Sequence, residues 1–347
     1  MSEIPASMQA VQLSDYNGLP ASIHLARVPV PRPGPGEVLV RVHASPVNPS
    51  DLMFVRGLYG FKKPLPATPG FEGSGTVVAT GAGLMARMLK GRRVACAAVD
   101  AKVTGGMWAE YVVTSAKMCI PLRRNVDLEQ AAMMLVNPMT AWALMDIARR
   151  GSHPAVVQTA AASALGRMII RLGRRFGLPV INIVRRSQQV QLLQEPGGEN
   201  ILNSSDPDFD ARLQEICHRL RASIGFDAVA GEMTARVLRA QPPGSRLLIY
   251  GALSLEPAQT DPASLIFEEK HLEGFWLSAW LQKKNLLSQL RVAGHVQDLL
   301  ASDLKSEVRA RLPLERTADG IAQYSADMTA GKVLIVPPQR SQSFGSD

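Results

Sequence analysis

Residues 155–184 read AVVQTAAASALGRMIIRLGRRFGLPVINIV, and the succession of textures in that stretch decides the fold. Ala155–Thr159 is a short apolar run of the kind buried in a parallel sheet. A turn of small residues follows, then GRMIIRLGRRFG with helical apolar spacing, then a second apolar run, Pro179–Val184. Strand, helix and strand in that order make a βαβ unit, which implies a parallel sheet with a right-handed crossover. Phe226–Ala230 and Arg246–Tyr250 supply later parallel strands, so the centre of the chain is expected to be a doubly wound α/β sheet ending near Trp280.

Upstream the texture differs. Glu37–His43, Gly75–Ala79 and Arg93–Ala98 are strand-like runs separated by Pro/Gly punctuation such as PVPRPGPGE, which predicts a β-rich sandwich or barrel. From Leu128 the spacing becomes helical, and Pro138 must break or kink any continuous helix there. We therefore expect a first domain over 1–134 and a sheet domain over 135–281. A return to the first domain over 282–338 is expected to be helical from Lys284 to about Ala310, with a last strand Gly331–Val336. A disordered polar tail is expected over 339–347.

A chain of 347 residues allows two domains. The net charge of +8 invites a nucleic-acid reading. It fails because the basic residues come in short pairs with no helix-turn-helix, zinc-finger or aromatic RNA-binding pattern beside them. A phosphate-bearing small ligand accounts for such a charge equally well. No run is apolar enough to span a bilayer, and MSEIPASMQAVQL has no signal-peptide pattern, so a cytoplasmic protein is expected. Cys96, Cys119 and Cys217 are far apart and outside any C-x-x-C pattern, which predicts inert thiols without a disulfide framework.

In a dinucleotide fold the turn after the first strand needs small residues, so that backbone can approach the pyrophosphate at the helix N-terminus. The glycine-rich pattern appears here as Ala161-Ala162-Ser163-Ala164-Leu165-Gly166, with the third glycine alone kept. At the end of the second strand NAD-binding chains place a carboxylate for the ribose hydroxyls. This chain has Arg185-Arg186, and a guanidinium fork suits a 2′-phosphate, so NADPH is the expected cofactor. Tyr250 and Gly251, at a strand's carboxyl end, are further cofactor candidates.

The chain resembles the zinc-free medium-chain dehydrogenase/reductases, in particular the quinone oxidoreductase branch and the 2-enoyl thioester (enoyl-CoA or enoyl-carrier-protein) reductases. The resemblance rests on Val47-Asn-Pro-Ser-Asp-Leu52, Gly57-Leu-Tyr59, Pro69-Gly-Phe-Glu-Gly73, Val136-Asn-Pro-Met-Thr-Ala141, Gln158–Gly166, Ser264-Leu-Ile-Phe267, Leu272–Ser278 with Trp280, and the closing Gly331-Lys332. It implies a GroES-like catalytic domain, a Rossmann NADP-binding domain and a homodimer. Zinc members place ligands where this chain has Val47-Asn48-Pro49 and Gly70-Phe71-Glu72, so no metal is expected. Thr140 is the implied nicotinamide contact.

The resemblance further implies hydride addition to an alkene conjugated with a carbonyl, and proton delivery to the α-carbon by Tyr59. An ordinary phenol, with a pKa of about 10, stays protonated for that role at neutral pH. Asn48 and Asp51 are expected to shape the same loop, and Trp276 to wall the pocket. The expected substrate is a 2-enoyl thioester on CoA or acyl carrier protein, and Lys62-Lys63 is either a contact for CoA phosphates or a solvated pair. A quinone or enone reductase, and a non-catalytic NADPH-binding scaffold, are the alternatives. Two departures from the family, the lost glycines and the short GFKKPLPATP stretch before Gly70, bear on cofactor affinity and the pocket.

Overall fold

The computed structural model describes residues 4–16, 21–194 and 197–339. The tail expected at 339–347 lies, except for Gln339, outside the described residues. The chain divides into two compact units, one made of residues up to Val136 with those from Ser306 onward, the other of Asn137–Lys305.

The second unit is built on six parallel strands in the order Ile201–Asn203, Val180–Val184, Val156–Gln158, Ile224–Asp227, Arg246–Ile249, His271–Gly274. In chain order that is 3-2-1-4-5-6, the doubly wound arrangement, whose ligand crevice lies beyond the carboxyl ends of the strands where the order reverses. Both central strands are buried along their whole length, which is why they read as continuous apolar runs. Helix Ala164–Phe176 covers the sheet with Leu165, Met168, Ile169, Ile170 and Leu172, and stops at Gly177, whose positive φ a side chain would resist.

The first unit holds a seven-stranded sheet. Its main path runs Val308–Leu312, Lys332–Ile335, Glu37–Pro46, Glu72–Thr80, Arg93–Ala97, Cys119–Pro121, with Tyr111–Ser115 also paired to Glu37–Pro46. Ser7–Leu13 and Ile23–Pro29 form a separate antiparallel pair. Under the sheet, Phe54, Phe71, Trp108, Val333 and Ile335 share one apolar cluster.

The helical stretch from Leu128 is broken as expected, into a short helix Leu128–Ala132 and helix Asn137–Arg150, with Pro138 in the first turn of the second. There its missing N–H has no partner to lose. The return to the first unit comes at Ser306 rather than 282, because helix Leu286–Leu299 packs within the second unit. His295 of that helix stacks on Trp142 at 5.0 Å, and Arg171 Nε donates to Asp303 O at 2.7 Å. The stretch expected to be helical up to Ala310 instead contains the strand Val308–Leu312, paired with Lys332–Ile335.

Candidate functional site

In the first unit the candidate residues gather around a buried polar network. Asn48 caps helix Pro49–Val55. Its backbone N–H donates to Asp51 Oδ2 at 2.9 Å, and the other Asp51 oxygen accepts from Phe71 N at 3.0 Å. The Asn48 amide is engaged at both ends: Nδ2 donates to Glu72 Oε1 at 2.8 Å, and Oδ1 accepts from Lys332 Nζ. The second Glu72 oxygen accepts from Leu135 N and Val136 N at 2.8 and 2.9 Å. Asn48, Asp51, Glu72 and Lys332 are all buried, so every polar atom here needs a partner from the protein.

Burial shifts all three ionisable members. It raises Asp51 to about 7 and holds Glu72 above the usual carboxylate range, while their hydrogen bonds and Lys332 pull the other way. It lowers Lys332 to about 8 against the attraction of Glu72 and Asp51. Tyr324, whose ring Lys332 Nζ approaches at 5.3 Å, is pushed up by burial and by the same carboxyls.

Helix Pro49–Val55 delivers the chain to Tyr59. Gly57 turns it with φ +69, and a Cβ there would stand 3.0 Å from Tyr16 Cβ, so the turn needs glycine on both counts. The half-buried Tyr59 ring packs on Phe71 at 4.7 Å and Phe61 at 5.1 Å. Lys63 corrects an expectation. It is neither a phosphate contact nor solvated, because Nζ is buried and donates to Ala98 O at 2.9 Å and Gly105 O at 2.5 Å. Burial lowers its pKa to about 8. Lys62 Nζ lies 5.2 Å from the centre of the Tyr16 ring.

In the second unit the candidates collect at the carboxyl ends of the strands. Ser163 caps helix Ala164–Phe176, its Oγ accepting from Gly166 N at 3.1 Å. A Cβ at Gly166 would lie 2.4 Å from Ala161 O, so the one retained glycine is the one that lets the helix start against the strand. Ala160 carries a positive φ of 48°, a conformation glycine adopts without strain. Ala161 and Ala162 are buried.

Arg185 and Arg186, just past Val180–Val184, are exposed, and their backbone N–H groups both donate to Gln189 Oε1. Tyr250 follows Arg246–Ile249, and its buried hydroxyl has no hydrogen-bond partner among the described residues. Burial and the nearby Asp227 push this phenol up. Gly251 lies against Ala228, where a Cβ would stand 3.0 Å from the carbonyl oxygen. Thr140 is buried in the first turn of its helix, whereas Trp276, just past His271–Gly274, is more than half exposed.

The sequence reading missed Asp227. It is fully buried and accepts from Thr159 Oγ1 at 2.8 Å, Thr234 Oγ1 at 2.7 Å and Val229 N at 2.8 Å. These bonds join the ends of the two central strands at the point of order reversal, and no spacing rule announces them. A small-residue turn, an orphaned hydroxyl and two exposed cations at one sheet edge fit a phosphorylated dinucleotide. Among the described residues no group of three or more His, Cys, Asp or Glu is placed to hold a metal ion. No helix among them is long and apolar enough to cross a membrane.

Comparison with known proteins agrees with this division of labour. Residues 34–124 match the alcohol dehydrogenase GroES-like domain and residues 164–291 the zinc-binding dehydrogenase family. The mitochondrial enoyl-[acyl-carrier-protein] reductase of Arabidopsis thaliana is 29% identical over 273 residues, covering 77% of this chain and 72% of that protein. The human enzyme of the same name is 29% identical over 285 residues, covering 80% and 74%. A solved structure from Mesorhizobium loti, described as a candidate NADPH:quinone reductase, superposes with a TM-score of 0.87 at 38% identity, covering 97% of this chain and all of that one. With both domain families matched in order and likeness at that level along its length, the chain is an oxidoreductase and belongs to the medium-chain dehydrogenase/reductase superfamily, in its quinone oxidoreductase branch near the enoyl reductases.

Proposed function

We propose that the protein is an NADPH-dependent, zinc-independent reductase of the activated carbon-carbon double bond of a 2-enoyl thioester. The observation that carries this reading is the donor set around Asn48. Where zinc members need ligands, this chain has a carboxamide bonded at both ends, the apolar Phe71, and a Glu72 whose oxygens are occupied by three N–H donors. Such a donor set would offer a Lewis-acid metal no free ligands with which to polarise an alcohol. It suits a substrate whose own carbonyl activates the alkene.

Bound NADPH would supply the hydride. Ser163, Ala164, Leu165 and Gly166, with Ala161, would cradle its pyrophosphate, Arg185 and Arg186 its 2′-phosphate, and Thr140, Tyr250 and Gly251 its nicotinamide end. Tyr59 would give its proton to the α-carbon as the enolate collapses. Asn48 would act as a positioning residue, through the helix that leads into the turn carrying Tyr59, and Trp276 as an apolar wall. The same chemistry serves a quinone, and the Mesorhizobium loti relative's description favours that second reading.

Tyr59→Phe is expected to lower kcat with crotonyl-CoA about 100-fold, with little change in NADPH affinity. Quinone reduction that survives the substitution, with no crotonyl-CoA turnover in the wild type, would shift the assignment to the second reading. Replacing Arg185 and Arg186 together by alanine is expected to raise KM for NADPH roughly 10- to 100-fold and leave that for NADH nearly unchanged, since at this exposed position the pair together is expected to contribute about 1.5–3 kcal/mol to holding a 2′-phosphate. Equal losses for both cofactors would remove the pair from 2′-phosphate recognition.

A further inference from the structure

Two cysteines that lie far apart in sequence face each other across a sheet. Strands Arg93–Ala97 and Cys119–Pro121 are antiparallel, with Val94 opposite Pro121, Ala95 opposite Ile120 and Cys96 opposite Cys119. Leu122 N donates to Arg93 O at 2.9 Å, which makes Arg93 and Leu122 a hydrogen-bonded pair. Alternation along the ladder then makes Cys96 and Cys119 a non-hydrogen-bonded pair. Pro121 supports this phase, because it occupies another non-bonded position, where its missing N–H is not needed.

Non-bonded partners stand with Cα atoms about 4.5 Å apart, their side chains on one face and as close as a sheet allows. Disulfides span Cα separations of about 4.4–6.8 Å. The neighbouring Cys119 thiol and burial push the Cys96 thiol up, Cys119 Sγ donates to Ser115 O at 3.7 Å, and both cysteines are free. Strand register thus brings together two free thiols that the sequence sets far apart.

We propose that Cys96 and Cys119 form a redox-sensitive dithiol that closes into a cross-strand disulfide on exposure to a hydroperoxide. Cys119 reacts first, being 8% exposed against 0% for Cys96. Its thiolate attacks one peroxide oxygen, the O–O bond breaks, and a sulfenic acid and one water (for hydrogen peroxide) result. The Cys96 sulfur then attacks the sulfenic sulfur, the S–S bond forms, and the departing hydroxide leaves as a second water with the Cys96 proton. Two thiols are oxidised by two electrons in all and one peroxide is reduced. Cys217 stays outside the reaction, fully buried in the second unit with its thiol pushed up to about 12 by burial. The bond would staple the three-residue edge strand Cys119–Pro121 just upstream of the segment that brings Leu135 and Val136 to Glu72.

The test uses the full chain. After hydrogen peroxide treatment and denaturation in an alkylating agent, free thiols should fall from three to one, and a non-reduced digest should contain the Cys96 and Cys119 peptides joined, released by dithiothreitol. Cys96→Ala should instead leave Cys119 to proceed to sulfinic acid, with no linked peptide. Because buried thiols react slowly, the wild type is also refolded from urea in oxidised glutathione. Three free thiols after that treatment, a wild-type Cys119 that stops at sulfinic acid, or a linkage to Cys217 or to a second chain would each overturn the proposal.

Discussion

Lys332→Met is expected to lower the unfolding free energy by roughly 3–5 kcal/mol, the usual cost of breaking a buried ionic set by removing one partner. Methionine keeps an unbranched apolar stem and is shorter than lysine by the terminal nitrogen alone, so little of the loss is a cavity effect. Lys332 is 1% exposed, and its ammonium is the cation that offsets Glu72 and Asp51. Without it, Asn48 Oδ1 loses its donor, and Glu72 keeps three N–H donors aimed at a carboxylate with no counter-charge. If Glu72 takes up a proton to escape, one of its oxygens becomes a donor facing donors. Either outcome disturbs the cap of helix Pro49–Val55 and, through it, the turn that carries Tyr59. Urea unfolding at neutral pH measures the effect, and a thermal midpoint lower by about 10 °C should accompany it. A loss below about 1 kcal/mol would mean the network has no net need of its cation.

The contrast between what was legible and what was not follows the range of the interactions. The parallel sheet was readable because each βαβ unit writes its own period within some thirty residues, and Gly166 was readable because its reason, contact with Ala161 O, lies five residues away. The network was not, because Asn48 and Lys332 are 284 positions apart and neither local pattern mentions the other. Lys63 resembled half of a solvated pair because its acceptors, Ala98 O and Gly105 O, arrive on loops 35 and 42 residues downstream. Cys96 and Cys119 needed strand register, which composition does not carry. The late return at Ser306 was hidden for a similar reason. Helix Leu286–Leu299 belongs to the second unit through the His295–Trp142 stack, and the helical texture of the segment is the same in either unit.

The network also makes stability depend on pH, and Asp51 fixes the direction. Its carboxyl is raised to about 7 in the folded protein from an ordinary value of 3.8. Between those values the folded state binds more protons than the unfolded chain. The contribution is therefore fully present below about pH 4 and is lost as pH rises through about 7, at about 1.4 kcal/mol per pH unit and on the order of 4 kcal/mol in total. Asp51→Asn does not titrate, and it carries a fixed cost of about 1–3 kcal/mol because one of the N–H donors from Asn48 and Phe71 loses its acceptor. The stability advantage of wild type over variant should thus be largest near pH 4.5 and shrink, or reverse, by pH 7.5. The charged groups that act on Asp51 are Glu72, Lys332 and Lys63, with the Tyr324 phenol also buried beside it. Glu72 is raised in the same sense and is common to both proteins, so to first order it cancels in the difference. Lys332 and Lys63 are lowered to about 8 and gain stability as pH rises from there toward 10.5, so the comparison belongs below pH 8. Urea unfolding of both proteins at several pH values between 4.5 and 7.5 decides the matter: a difference that stays constant across that window would show that Asp51 holds its proton no more tightly folded than unfolded, and that its two N–H donors balance its burial.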